Sequence, residues 1–560
     1  MRSTLLALAL PLAALAASST AHAQTTARAP ASPAPLQQSC DALASRLAYP
    51  GTRFTAVRSV AAGALQVAGQ PIGAHCQVTG LMHERVGSDG QSYAIGFEMR
   101  LPLAWNGRFF YQANGGLDGN VVPALGDIGG GGQRDNPLRM GFAVISSDAG
   151  HSNAQNPLFG RDPQARLDYG YQAVQALTPM AKRVVQIAYG KAPDYSYFGG
   201  CSNGGRHGMV AAARDAQDYD GILVGDPGFH LPKAAIADLA AAQQLAALAG
   251  GSDTRSGLSA AERSLVAERI VATCDALDGV RDGMVQDVLA CQRRFDLNRD
   301  VATCGSAGRT GQCLTPAQKR ALGAIHAGVR NSAGTPLYAP FPYDPGIASG
   351  DWAGWRQDAS LTLVPGSVAF GFVTPPEDPA VLQDLKRYAL QFDMDRDAPK
   401  IFATAGAFGE SAWSYMTPPN ETRLTTLKKR GGKLLIYHGT GDGIFSFADT
   451  AAWYDRLRTA DADAASYARL FAVPAMAHCA GGPATDQFDA LTPLVAWVEQ
   501  GQAPAAIVAS ARGSGSGSAA PNNEVPASWS SQRSRPLCPY PQVARYVGGD
   551  VEAASSFVCR

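Results

Sequence analysis

The sequence predicts an α/β fold in which a parallel sheet is covered by helices on both faces and interrupted by a large inserted unit. Two observations predict the layers and a third the staples. Short apolar runs alternate with helical patterns from about residue 50 to 230. The alternation stops at 231 and resumes at "GGKLLIYHGTGD". Ten cysteines, an even number, are spread from Cys40 to Cys559, a pattern of disulfides in an oxidising compartment.

The first 23 residues stand outside that fold. "MRSTLLALALPLAALAASSTAHAQ" carries one early arginine, an apolar stretch from Leu5 to Ala17 and the small-residue end Ala21-His22-Ala23. This is the pattern of a secretory signal, with cleavage expected before Gln24. The apolar run is shorter than the roughly 20 residues of a membrane span, so a periplasmic or secreted protein is expected. Residues 24–39, rich in Ala and Pro, are expected to be a disordered lead-in.

Residues 40–230 form the first part of the core. "YAIGFEMRLP", "GRFFYQANGG" and "GFAVISSDAG" read as strands ending in loops, and "DYGYQAVQALTPMAKRVVQIAYG" as the helix after them. "DYSYFGG" then reads as a strand and "SNGGRHGMVAAARDA" as the start of a helix. Residues 231–415, with Ala-rich helices, cysteine-bearing loops and a Trp/Pro/Gly-rich passage, are the inserted unit. Residues 416–560 supply the second part of the core and a C-terminal segment. About 535 residues after the signal are too many for one core. The 47 basic and 47 acidic residues balance without long runs of either sign, which excludes a nucleic-acid or anionic-membrane partner. Oligomeric state stays open.

Chain proximity suggests pairing Cys274 with Cys291, Cys304 with Cys313 and Cys538 with Cys559, which leaves Cys40 with Cys76 and Cys201 with Cys479; sequence alone does not fix this. The last pair carries chemical interest. Gly200-Cys201-Ser202-Asn203-Gly204 is a G-x-S-x-G turn between a predicted strand and a predicted helix, the setting in which such a serine is an exposed nucleophile. A serine needs a base oriented by an acid. Later strands deliver Asp442 in "HGTGDGIFS" and His478 in "AMAHCAGG", in the order Ser, Asp, His. His207 and His438 are read as structural or pocket-lining. A Cys201–Cys479 bond would tie the serine's turn to the histidine's loop.

These residues resemble the tannase and feruloyl esterase family of α/β hydrolases, and within it bacterial members that include hydrolases of mono(2-hydroxyethyl) terephthalate. The resemblance covers roughly residues 40–560, through "GRFFYQANGG", "SSDAGH", "GCSNGG", "CDALDGVRDG", "YHGTGD", "HCAGGP" and "PLCPYP". It implies an α/β-hydrolase core, a lid made by the insertion, and five disulfides paired as grouped above. It also implies an oxyanion hole from the backbone N–H groups of Asn203 and Gly116.

"CDALDGVRDGMVQD" brings Asp275, Asp278 and Asp282 into one glycine-punctuated loop, where hard oxygen ligands suit Ca²⁺. The resemblance implies a structural calcium there, with carbonyls of Val280 and Met284 as further ligands, and no cofactor for catalysis. The lid passage "DWAGWRQDASLTLVPGSVAFGFVTPP" carries Trp352, Trp355, Phe370 and Phe372. Trp355 and Phe372 are the candidates to sandwich an aromatic acyl group. Arg356 is the only cation there for the free carboxylate of a terephthalate monoester. The expected function is hydrolysis of small phenolic-acid esters, with terephthalate monoesters as the alternative. A peptidase or a non-catalytic binding protein of the same fold are more remote readings.

Overall fold

The computed structural model describes residues 29–128, 135–306, 308–518 and 520–560; the expected signal peptide lies outside them. Nine strands make the central sheet: β1 (Thr52–Val60), β2 (His75–Val86), β3 (Ser92–Pro102), β4 (Arg108–Gln112), β5 (Ala143–Ser147), β6 (Tyr195–Cys201), β7 (Gly221–Gly225), β8 (Lys433–Gly439) and β9 (Ala468–Val473). Their order is β9-β8-β7-β6-β4-β5-β3-β2-β1. Strands β4 to β9 run parallel, and every residue of β6 and β7 is buried, as expected where helices cover both faces.

The expectation of a wholly parallel sheet is corrected at one edge, where β1, β2 and β3 pair antiparallel and β3 joins β5 antiparallel. Only residues 87–91 separate β2 from β3, too short for the crossover that parallel neighbours require. The lead-in is corrected as well. From residue 29 it is placed on the core: Ala34–Pro35 pairs with Ala104–Trp105, and the Ser32 amide donates to Asp194 at 2.8 Å. A proline costs nothing in such a two-residue edge strand.

Helices α1 (Ala173–Tyr189) and α2 (Asn203–Arg214) flank β6 in sequence. The insertion lies between β7 and β8. It opens with α3 (Leu231–Ala249) and α4 (Ala260–Cys274), the latter started by a Ser259–Glu262 capping box. It has its own apolar core, including Leu245, Val266, Ile270 and Leu322, closed by the Cys274–Cys291 and Cys304–Cys313 disulfides. The other three bonds are Cys40–Cys76, Cys201–Cys479 and Cys538–Cys559. No helix of the described residues is long and apolar enough to cross a membrane.

Because β9, β8, β7 and β6 are adjacent and parallel, the loops past their carboxyl ends share one edge. Those loops carry His478, Asp442, Asp226 and Ser202 respectively, at the edge where open α/β sheets bind ligands.

Candidate active site

Ser202 sits where β6 turns into α2, with φ +65° and ψ −125°. That backbone is unfavourable for a residue with a Cβ and persists only where its surroundings fix it. The surroundings are the glycines. A Cβ on Gly200 would lie 2.7 Å from the Ala113 carbonyl oxygen, one on Gly204 2.4 Å from the same atom, and one on Gly205 2.3 Å from the Gly225 oxygen. Strand, turn and helix therefore pack at a distance only glycine permits, which pushes the serine side chain outward.

His478 Nδ1 lies 2.8 Å from Asp442 Oδ2, while Asp442 Oδ1 accepts the Ile444 and Phe445 amides at 2.8 and 2.9 Å. The aspartate is thus held on both oxygens, and its Nδ1 partner leaves Nε2 of the imidazole for other work. Phe445 and Trp355 meet the imidazole edge-on, with centroids 5.3 and 5.4 Å away. Burial opposes the charge of His478, but Asp442 outweighs it and the pKa is pushed up to about 9. Burial would raise Asp442, yet His478 and His438 hold it well below the usual carboxylate range. Ser202 and His478 are brought together covalently: Cys201 and Cys479, bonded across 278 residues with Cα atoms 6.1 Å apart, are their immediate neighbours.

Asp226 was missed in the sequence, where "GDPGF" reads as an ordinary turn. One of its oxygens, one Asp442 oxygen and a His478 ring nitrogen lie within 4.8 Å of one another. Its Oδ1 accepts the Gly439 amide at 2.8 Å, and burial pushes its pKa up to about 7. The two acids beside the imidazole are thus pushed in opposite directions, Asp442 down and Asp226 up, since two buried carboxylates this close cannot both ionise cheaply.

Behind the serine, the Asn203 side chain is locked by Asp118 (2.7 Å) and Arg206 (2.6 Å). His207 joins this network through Asp118 at 3.0 Å, and burial keeps it neutral; it does not line the cavity. His438, with Nδ1 2.9 Å from Thr450 Oγ1, stands 3.5 Å from Asp442. Both histidines are structural. Asn203 begins α2, so its N–H has no intrahelical partner, and Gly116 faces the same cavity at φ +64°.

A narrow cavity opens onto Ser202, lined also by Gly116, Asn203, Leu231, Trp355 and Phe372. The four lid aromatics divide two and two. Trp355 and Phe372 lie in π-helical turns, Gly354–Asp358 and Val368–Phe372, and both reach the cavity. Trp352 packs into the lid's own core, and Phe370 is fully buried away from the lining. Arg356 is not a lining residue; it donates to Asp238 at 2.7 Å and lines a neighbouring cavity.

In the Asp loop, Asp282 is paired with buried Arg535 at 2.5 Å, and Asp275 accepts the Asp282 and Gly283 amides. Asp278 Oδ2 is buried without a hydrogen-bond partner, and burial with the neighbouring aspartates pushes its pKa up to about 7. Arg281 lies in the loop as well, and Arg533 donates to the Asp282 carbonyl at 2.7 Å. Carboxylates and carbonyls are the hard oxygen donors a divalent cation takes, but among the described residues Asp275, Asp278 and Asp282 do not gather within 4.8 Å of one another.

Comparison with known proteins gives the family. Residues 76–560 match the family described as tannase and feruloyl esterase. The chain is 42% identical over 524 residues to mono(2-hydroxyethyl) terephthalate hydrolase of Piscinibacter sakaiensis, covering 87% of this chain and 84% of that one. It is 27% identical over 482 residues to feruloyl esterase B of Aspergillus niger, covering 82% and 83%. The crystal structure of feruloyl esterase B from Aspergillus oryzae superposes with a TM-score of 0.74 at 23% identity, over 93% of this chain and 99% of that one.

Proposed function

The chain belongs to the tannase and feruloyl esterase family and is a carboxylic ester hydrolase, and from that premise we propose that it cleaves small esters of phenolic aromatic acids through Ser202, His478 and Asp442. The observation that carries this reading is the cavity, in which the serine lies among Trp355, Phe372 and aliphatic side chains with no cation in the lining among the described residues. An aromatic acyl group fits those walls. A second reading, hydrolysis of terephthalate monoesters, is favoured by the 42% identical relative.

Ser202 Oγ attacks the ester carbonyl as His478 Nε2 takes its proton. The oxyanion is held by the N–H groups of Gly116 and Asn203, each donor contributing about 3 kcal/mol. Collapse expels the alcohol, which receives the proton from His478. Water, deprotonated by the same nitrogen, then cleaves the acyl-serine and releases the acid and free Ser202. Asp442 keeps the proton-accepting nitrogen facing the serine and stabilises the imidazolium.

The test is hydrolysis of methyl ferulate, methyl gallate and mono(2-hydroxyethyl) terephthalate. Faster turnover of the phenolic esters supports the first reading. A clear preference for the terephthalate monoester replaces it with the second.

Two further roles follow. The Cys201–Cys479 bond fixes the base relative to the nucleophile. Replacing both cysteines with alanine is expected to lower kcat about a hundredfold and stability by up to about 5 kcal/mol, the chain-entropy value for so long a loop. Replacing Cys304 and Cys313 is expected to leave kcat intact, which stopped-flow and thermal melts of both variants check. Asp275, Asp278 and Asp282 with the Val280 and Met284 carbonyls hold a structural Ca²⁺. Chelation is then expected to lower the stability, reversibly, by the roughly 4 kcal/mol that a ligand at a thousand times its Kd contributes, and the melting temperature with it, while Asp278→Asn melts at the same temperature with and without chelator. Export to the periplasm or medium fits the five disulfides; amino-terminal sequencing of the mature protein tests it, with Gln24 expected first.

A further inference from the structure

The cavity at Ser202 is apolar on most of its wall, and one lining residue does not belong to such a wall. Asp238, on α3, is fully buried. Its Oδ1 accepts from Arg356 Nη1 at 2.7 Å, and its Oδ2 has no hydrogen-bond partner among the described residues. A buried acceptor left unmatched is expensive, and native proteins keep few of them. The ion pair is also turned one way. Arg356 lies with its guanidinium carbon 3.9 Å from the Phe341 ring centroid and lines a separate cavity beside Gln243 and Arg330. Arg356 Nε and Nη2 also lack a partner among the described residues, but of the two residues only Asp238 lines the cavity at Ser202.

We infer that Asp238 Oδ2 is the built-in acceptor for a hydroxyl group of the bound ester, so that the enzyme selects hydroxyl-bearing esters and disfavours those presenting a carboxylate at that position. The inference rests on the esterase reading of the site and sharpens it. A hydroxyl donates one hydrogen bond to the open oxygen and satisfies it. A methoxy or hydrogen in its place leaves the oxygen unmatched, and a carboxylate brings a second acidic group against it where water is excluded. The hydroxyl can belong to the aromatic acid or to the alcohol, and the two sources separate by experiment.

The test measures kcat/KM for two matched pairs, methyl 4-hydroxycinnamate against methyl cinnamate and 2-hydroxyethyl benzoate against ethyl benzoate, on wild-type protein and on Asp238→Asn. In the wild type one pair is expected to favour its hydroxylated member by on the order of 10- to 100-fold, the range of a hydrogen bond to a charged acceptor. The pair that shows it names the moiety. In Asp238→Asn, which keeps the shape and a partner for Arg356, that ratio is expected to fall at least several-fold. Ratios near one for both pairs in the wild type overturn the inference whether or not the variant folds, as does a ratio unchanged in Asp238→Asn. Cleavage of the unhydroxylated esters, lost in Ser202→Ala, upholds the esterase reading independently. If no ester is cleaved, both fall together.

Discussion

Ser202→Ala is expected to lower kcat/KM for every ester the protein cleaves by on the order of 10⁵-fold, the scale seen when a catalytic serine is removed from a triad that acts as a unit. The loss is chemical rather than structural. Alanine keeps the backbone at φ +65° and removes one oxygen at the cavity wall, so the melting temperature is expected to change little. Ser202→Gly separates the two roles further. Glycine adopts this backbone without the clash a Cβ brings, and the variant is expected to be as inactive as alanine yet about 1 kcal/mol more stable. Denaturant melts beside single-turnover kinetics check both statements. An alanine variant that retained more than a few per cent of wild-type rate would remove Ser202 from the mechanism.

Asp442→Asn is expected to cost about 10⁴-fold in kcat, the effect of losing the acid that fixes a catalytic histidine's tautomer and charge. The pH profile carries the sign. In the wild type the base works as neutral His478, whose pKa is pushed up to about 9 because Asp442 outweighs burial. Activity is therefore expected to climb from neutral pH and level near pH 9. Stability runs the other way. A histidine whose folded pKa exceeds its unfolded value of about 6.5 adds stability that is full below pH 6.5 and is lost as pH rises through 9. The asparagine variant is expected to lose both trends between pH 6.5 and 9, because the charge that raised His478 is gone. Melts and initial rates across that window decide it; an unchanged profile would mean another group sets the limb.

Much of this site was legible in the sequence because its chemistry demands particular residues at particular turns. The glycines around Ser202 and the strand-end positions of Asp442 and His478 follow from packing and from the parallel order of β6, β8 and β9. Three disulfides join the pairs that chain proximity suggested, and the other two, Cys40–Cys76 and Cys201–Cys479, join the cysteines left over. The antiparallel edge was hidden for a physical reason: β1 alternates half-buried and exposed side chains only loosely, a weak signal beside the apolar strands of the centre. Asp238 was hidden more thoroughly. In "KAAIADLAAAQQ" a lone aspartate reads as the solvent side of a helix, and its partner Arg356 lies 118 positions away. Asp226 looked like turn chemistry for the same reason. Only the folded chain shows that both carboxylates are buried.

The most direct measurement of the central claim is covalent trapping. Purified protein treated with a fluorophosphonate is digested and its peptides weighed. The account predicts one stoichiometric adduct, on the peptide containing Ser202, formed several orders of magnitude more slowly in Asp442→Asn. An adduct on another residue, or full ester hydrolysis by protein that takes up no label, would contradict it.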